Sequence, residues 1–158
     1  MAGFPQDTAT VRALFSEYAA GLDIDLSFQG FAAELAALPG AYAQPRGAIL
    51  IAEDEGTPLG CVAVRPLEGR ACEMKRLYVR PTSRGRGVGD LLVGRICALA
   101  RERGYAVMRL DTLSSMTAAL QLYVRAGFRP IPPYLYNPIP DARYLELDLL
   151  TGAQASPI

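Results

Sequence analysis

The stretch Leu-Tyr-Val-Arg-Pro-Thr-Ser-Arg-Gly-Arg-Gly-Val-Gly, residues 77–89, constrains the fold of this chain more than any other. It predicts a strand that ends before Pro81, a loop rich in glycine and arginine, and a helix that begins near Val88. Three glycines within five residues allow positive φ angles and a close approach to the backbone. The first turn of a helix attracts anions, and Arg84 and Arg86 add positive charge there. The stretch therefore predicts a phosphate-binding site, although its residues alone are also compatible with a solvated strand-to-helix turn.

The spacing of the glycines distinguishes between the known kinds of phosphate loop. A Walker loop requires a Gly-Lys pair that is absent here, and the dinucleotide fingerprint requires glycine where Asp90 stands. The pattern Arg84-x-x-Gly87-x-Gly89 instead resembles the pyrophosphate loop Q/R-x-x-G-x-G/A of the GNAT superfamily, the acyl-CoA-dependent N-acyltransferases. A second landmark of that family is similar to residues 122–128, where a predicted helix ends in Leu-Tyr-Val-Arg-Ala-Gly-Phe.

The resemblance, which extends from about Ala48 to Leu149, implies an α/β (α+β) fold in a single domain, residues 1–158. The GNAT fold has a mixed, mostly antiparallel central sheet that splays between two parallel strands, with helices on both faces. The implied function is an N-acetyltransferase that moves an acetyl group from acetyl-CoA, its co-substrate, to a primary amine by direct attack in a ternary complex. A small molecule, an amino acid and a protein N-terminus remain open as acceptors. A non-catalytic acyl-CoA-binding sensor or subunit is the alternative, and a homodimer is compatible with either.

Composition narrows the functional classes further. Sixteen basic and sixteen acidic residues cancel, which argues against a nucleic-acid partner. The sequence has neither an apolar run of membrane-spanning length nor a secretory signal. Three cysteines in apolar surroundings indicate reduced thiols and a cytoplasmic location. The chain has no histidine, and no cysteine or carboxylate cluster has metal-ligand spacing, so we expect no metal.

Hydrophobic periodicity predicts the remaining elements. Helices are expected after Asp7 or Thr8 and over residues 31–38, whereas residues 1–6 are too short and irregular to support an opening strand. Strands over residues 48–52, 59–65 and 71–79 form an antiparallel meander, and a strand over 106–110 lies parallel to the third because a helix connects them. A helix that ends at Gly127, a proline-rich loop, a final strand to Leu149 and a frayed tail from residue 151 complete the chain.

Acyl transfer to an amine needs a group that removes a proton from the amine, and Glu73 is the candidate base. It precedes the Gly/Arg loop on the predicted third strand and matches the family's spacing to that loop. Period-two alternation would place it on one face with Lys75, Leu77 and Val79. The alternatives are an exposed glutamate, one paired with Lys75 or Arg65, or catalysis through water. The resemblance assigns the N–H that stabilises the oxyanion to Leu77 or Tyr78.

The leaving thiolate needs a proton donor, and the resemblance points to Tyr123, whose alternative role is that of a core tyrosine. The asparagine with which the family often binds pantetheine corresponds here to Met116, so Ser114 or Ser115 is the candidate substitute. An acyl-cysteine at Cys72 or Cys97 is disfavoured because neither has a histidine partner. The predicted acceptor contacts are Asp25, Tyr134 and Tyr136, and those predicted for the coenzyme are Leu77, Tyr78, Val79, Arg84, Gly85, Arg86, Gly87, Val88, Gly89, Ser115 and Tyr123.

Overall fold

A computed structural model describes residues 1–22, 26 and 30–154, with the side chains of 152–154 left aside. The helices are α1 (Thr8–Ala20), α2 (Phe31–Ala36), α3 (Val88–Glu102), α4 (Thr117–Ala126) and α5 (Leu149–Gln154). The strands are β1 (Ala48–Asp54), β2 (Thr57–Pro66), β3 (Ala71–Val79), β4 (Val107–Leu113), β5 (Arg129–Pro130) and β6 (Ala142–Asp148). No helix among the described residues is long and apolar enough to cross a membrane.

The six strands form one mixed sheet in the order β1-β2-β3-β4-β6-β5, and the predicted mixed fold is confirmed. Every neighbouring pair is antiparallel except β3 and β4, which are parallel. The parallel pairing extends only from Ala71–Val107 to Glu73–Arg109. Because β4 continues to Leu113 and β3 to Val79, the two strands separate beyond that point and leave an opening in the sheet.

Two apolar clusters cover the two faces of the sheet. The larger cluster packs α3, α4 and the start of α5 against β2, β3, β4 and β6, with Ile96, Met108 and Leu149 almost fully buried. The smaller cluster packs α1 against β1 and β2 through Val11, Leu14 and Phe15. Helices therefore lie on both faces, as the resemblance implies.

A β-bulge interrupts β3 and corrects the predicted alternation. Cys61 pairs with Tyr78 and Ala63 with Lys75, so two residues of β3, at positions 76 and 77, lie opposite Val62. Arg76 adopts a φ of 60° at this point. Because β3 contains one extra residue here, the side chains after the bulge point to the face of the sheet opposite to the one that unbroken alternation predicts.

The expectation that Glu73 shares a face with Leu77 and Val79 is consequently wrong. Leu77 and Val79 pack against the larger cluster, on the side of α3, whereas Tyr78 packs against the smaller one. Glu73 points to the side opposite its neighbours Cys72 and Met74, which belong to the larger cluster.

The N-terminal end agrees with the prediction, whereas the C-terminal end differs from it. Ala2 donates one backbone hydrogen bond to Ile49, and no strand precedes α1 within the described residues. The final strand ends at Asp148, residues 151–154 of the predicted frayed tail belong to α5, and the rest of that predicted tail, 155–158, lies outside the described residues. The Asp148 carboxylate begins this helix by accepting hydrogen bonds from the N–H groups of Leu150 and Thr151 and from the Thr151 hydroxyl.

Candidate active site

The loop between β3 and α3 adopts the conformation that its glycines predict. Residues Pro81–Ser83 form a single 3-10 turn, and Gly85 and Gly87 then have φ angles of 78° and 79°. Gly87 is the residue that caps α3, so the first N–H groups of a 15-residue helix follow it directly. A Cβ atom added to Gly85 or Gly87 would meet no atom within 4 Å, so this backbone borders open space. Such a loop can bring its N–H groups close to an anionic group.

Gly89 has a different role from Gly85 and Gly87, because it allows two helices to pack closely. A Cβ atom built on it would lie 2.8 Å from Cδ1 of Leu122. The absence of a side chain therefore allows the first turn of α3 to pack closely against α4.

A cavity of about 600 Å³ lies between the end of β3, this loop and the first turns of α3 and α4. The predicted coenzyme contacts that line it are Leu77, Tyr78, Val79, Arg84, Gly85, Gly87, Val88, Gly89 and Ser115. Arg86 is not among its lining residues, because its guanidinium approaches Asp54 at 3.4 Å on the outer surface. Arg84 donates from Nε to the carbonyl of Val79, which ties the loop to the end of β3.

Tyr78 and Arg80 attach the end of β3 to α1. The Glu17 carboxylate accepts a hydrogen bond of 3.1 Å from the Tyr78 hydroxyl and bonds of 3.0 and 2.8 Å from the Arg80 guanidinium. The hydrogen bonds from Arg80 are the largest cause that lowers the pKa of Glu17. The strand that leads into the Gly/Arg loop is thereby held to the opposite face of the sheet.

A second, smaller cavity of about 40 Å³ occupies the opening between β3 and β4. Four residues, Tyr18, Leu22, Leu77 and Met116, line both cavities, so the two spaces meet there. Of the two candidates for the oxyanion N–H, Leu77 borders both cavities and Tyr78 only the larger. A volume of 40 Å³ accommodates a small reacting group but not a large ligand.

Tyr123 of α4 lines this smaller cavity and not the larger one. Its ring is 6% exposed and contacts Phe128 edge to face at 5.7 Å. Burial raises the pKa of the Tyr123 phenol strongly, so the hydroxyl keeps its proton at neutral pH. A protonated phenol can donate a hydrogen bond or a proton toward the opening in the sheet.

Glu73 lies elsewhere and is already engaged. Its side chain is 0% exposed and lines neither of these cavities. One carboxylate oxygen accepts a 2.7 Å hydrogen bond from Arg65 Nε, and the other accepts a 2.6 Å bond from the Tyr134 hydroxyl. This arrangement matches the pairing with Arg65 that the sequence left open, with Tyr134 as an additional donor.

The structure separates the predicted acceptor contacts. Tyr134 is held against Glu73 and packs edge to face on Tyr144 at 5.8 Å. Tyr136 is 79% exposed and lines neither cavity. Asp25 lies outside the described residues.

Asp111 is the carboxylate that sequence reasoning missed at this site. It belongs to β4, which continues three residues beyond the predicted end at Leu110, and it lines the smaller cavity. Its Oδ2 accepts a 3.0 Å hydrogen bond from Asn137, whose own carbonyl oxygen accepts a bond from the N–H of Ile139. A charged residue directly after a buried strand that runs parallel to its neighbour is a signal that could have identified it.

Tyrosine side chains surround this carboxylate. Burial is the main cause that raises the pKa of Tyr18, Tyr123, Tyr134 and Tyr144, and the negative charge of Asp111 raises each of them further. The phenols therefore keep their protons at neutral pH. Asp111 therefore has the charge and the position to attract a protonated amine into the opening of the sheet.

The cysteines have a packing role. Cys61, Cys72 and Cys97 are buried and free, and burial raises the pKa of Cys72 to about 12 and that of Cys97 to about 11. Thiols in this state are poor nucleophiles, which argues against an acyl-cysteine. Within the part of the chain that the structure describes, no group of three or more Cys, Asp or Glu residues could hold a metal ion.

Comparison with known sequences identifies acetyltransferases as the relatives of this chain. The model of the Acetyltransferase (GNAT) family matches residues 12–128. An uncharacterised N-acetyltransferase from Schizosaccharomyces pombe is 46% identical over 147 residues, which cover 92% of this chain and 90% of the relative. An IAA acetyltransferase from Azospirillum brasilense is 35% identical over 109 residues, covering 68% of this chain and 71% of that protein.

Solved structures show the same fold. A GNAT-family acetyltransferase from Staphylococcus aureus superposes with a TM-score of 0.78 at 17% identity, covering 94% of this chain and 97% of the other. A Salmonella typhimurium protein solved with its cofactor acetyl-CoA superposes with a TM-score of 0.68 at 20% identity, covering 94% and 92%.

Proposed function

The chain belongs to the GNAT family of acetyltransferases, and from that premise we propose that it transfers the acetyl group of acetyl-CoA directly to an amine in the opening between β3 and β4. The observation that carries the proposal is the junction of two cavities at Leu77 and Met116. The larger space begins at a glycine loop and a helix N-terminus, which suit a pyrophosphate. The smaller space holds a carboxylate and a phenol.

The residues of the larger cavity fit the coenzyme. Gly85 and Gly87 have the positive φ angles and the open space that let backbone N–H groups approach phosphate oxygens. Arg84, between β3 and the helix, adds a positive charge to the same wall. When bound, acetyl-CoA supplies the acetyl group as a thioester.

Each chemical requirement of the transfer then has a candidate residue. We assign the N–H that hydrogen-bonds the reacting carbonyl oxygen to Leu77, because this residue borders both cavities. We assign to Tyr123 the role of proton donor to the leaving sulfur, because its phenol lines the smaller cavity and stays protonated.

We assign two roles to Asp111. Its carboxylate binds the incoming ammonium and then receives a proton from it, directly or through water. It replaces Glu73 in this role because Glu73 is fully buried and accepts hydrogen bonds from Arg65 and Tyr134. Asn137 holds the Asp111 carboxylate through Oδ2 at 3.0 Å. This fixed orientation favours proton transfer from a group in the cavity.

The test measures CoA release from acetyl-CoA with a panel of amines, and mass spectrometry identifies the acetylated product. Asp111→Asn should lower kcat by about 10²-fold, the effect of one acid–base group, with the KM for acetyl-CoA little changed. Asp54→Asn is the matched control, because Asp54 lines neither cavity and pairs with Arg86 on the surface. An unchanged rate for Asp111→Asn at neutral pH would remove Asp111 from the mechanism.

A further inference from the structure

Lys75 is the only lysine in the chain, and the other fifteen basic residues are all arginines. Lysine is ordinarily a surface residue that is almost never fully buried. In this protein the single lysine is 8% exposed. An ammonium is a compact point charge and a guanidinium a planar fork, so the two groups serve different uses at a buried position.

The position of Lys75 indicates which use applies here. It lies on β3 next to the bulge and lines the smaller cavity together with Asp111 of β4. Among the described residues, the walls of the opening between β3 and β4 therefore contain one carboxylate, Asp111 of β4, and two cations, Lys75 and Arg76 of β3. Burial and the neighbouring Arg76 lower the pKa of Lys75, whereas the charges of Glu73 and Asp111 act in the opposite direction.

Two other charged groups of this region, Arg76 and Glu73, form ion pairs. Arg76 also lines the cavity, but its guanidinium makes two hydrogen bonds of 2.9 Å to Glu34 and lies over the rings of Tyr18 and Phe31. Glu73 is held by Arg65 at 2.7 Å. Lys75 also has interactions within the chain, and its relevance comes from its position in the cavity wall and from its compact charge.

We propose that the acceptor is a small amine that carries a carboxylate close to its amino group, the chemistry of a free amino acid. The amino group faces Asp111 and the carboxylate faces Lys75. This inference rests on the proposed acetyl transfer and narrows its acceptor. A cavity of about 40 Å³ favours the compact ammonium over the wide guanidinium fork as the group that reads the carboxylate. A protein N-terminus, which presents a neutral amide at the same place, fits this charge pattern less well.

The experiment compares acceptors that differ only in the group beside the amine. Each set contains an amino acid, its carboxamide and the corresponding decarboxylated amine, for example L-alanine, L-alaninamide and ethylamine. CoA release gives kcat/KM for each member, expressed per concentration of unprotonated amine, because the three amines of a set differ in pKa. A charge-assisted hydrogen bond predicts that the acid exceeds its amide by roughly 10- to 100-fold in at least one set.

Variants then locate the origin of that preference. Lys75→Met should reduce the ratio of acid to amide to about one, whatever its effect on the overall rate. Lys75→Arg, which keeps the charge in a larger group, should retain part of the ratio. Arg70→Met is the control, because Arg70 is exposed at the turn before β3 and lines neither cavity, so it should leave the ratio unchanged.

The possible results are distinct. A native enzyme that acetylates acids and amides equally well overturns the inference and leaves the proposed transfer intact. A preference for acids that survives in Lys75→Met also overturns it, because the carboxylate is then read elsewhere. Absence of CoA release with every amine overturns the proposed transfer itself, and the inference with it. The native ratio needs no variant, so the proposal stays testable if Lys75→Met does not fold.

Discussion

Replacing Glu73 with glutamine distinguishes a structural carboxylate from a catalytic one. The side chain is 0% exposed and accepts hydrogen bonds of 2.7 Å from Arg65 and 2.6 Å from Tyr134. Glutamine preserves the shape and removes the negative charge. The amide has one acceptor oxygen where the carboxylate has two. With that oxygen toward Arg65, the bond from Arg65 loses its charge assistance, and at Tyr134 the direction reverses, so that the amide nitrogen donates to the phenol oxygen. Each change costs about 1 kcal/mol, so the two together cost roughly 2 kcal/mol.

The loss of stability stays near that value because Arg65 does not become a buried charge without a partner. Its side chain is 34% exposed, so water can solvate the guanidinium once its partner is neutral. In a chain of this length, 1 kcal/mol changes the melting temperature by about 2–4 °C, so Glu73→Gln should melt roughly 4–8 °C lower. The rate should fall by less than about 10-fold, because the carboxylate lines neither cavity.

The assay combines thermal denaturation with kcat on the same preparations. Glu53→Gln is the matched control, since Glu53 is an exposed strand residue and the substitution should change neither quantity. An unchanged melting temperature together with a loss of about 10²-fold in kcat would refute the reasoning and return the base role to Glu73.

Two further predictions concern Tyr123 and the close contact between β2 and β3 at Gly60. Tyr123→Phe keeps the ring contact with Phe128 and should lower kcat by roughly 10- to 10³-fold with little change in melting temperature; the reverse pattern would make it a core tyrosine only. Gly60→Ala would drive a Cβ into the backbone carbonyl of Tyr78 and should destabilise the protein by about 1–3 kcal/mol in denaturant titrations. Gly94→Ala, on the exposed side of α3 with no atom near the added carbon, should instead stabilise it by up to about 1 kcal/mol, and equal effects of the two substitutions would contradict the close strand contact.

Several features of this fold follow from local conformational preferences alone. The Gly/Arg loop, the start of α3 and the end of α4 at Gly127 follow from glycines with φ angles between 78° and 103°. The parallel pairing of β3 with β4 also follows, because a helix connects them. These features need no knowledge of distant residues, and the family resemblance rests on them.

Only the tertiary structure decided which side chains meet in the opening of the sheet. The positive φ of Arg76, a residue with no local preference for it, accompanies a bulge and an ion pair with Glu34 of α2, 42 positions away. That single extra residue places Leu77 and Glu73 on opposite faces. The partner of Glu73, Tyr134, is 61 positions distant, and Asn137, which orients Asp111, is 26 positions distant. Periodicity within a strand assumes an unbroken alternation and contains no information about such contacts, so the carboxylate that we propose as catalytic, Asp111, was identified from the folded chain.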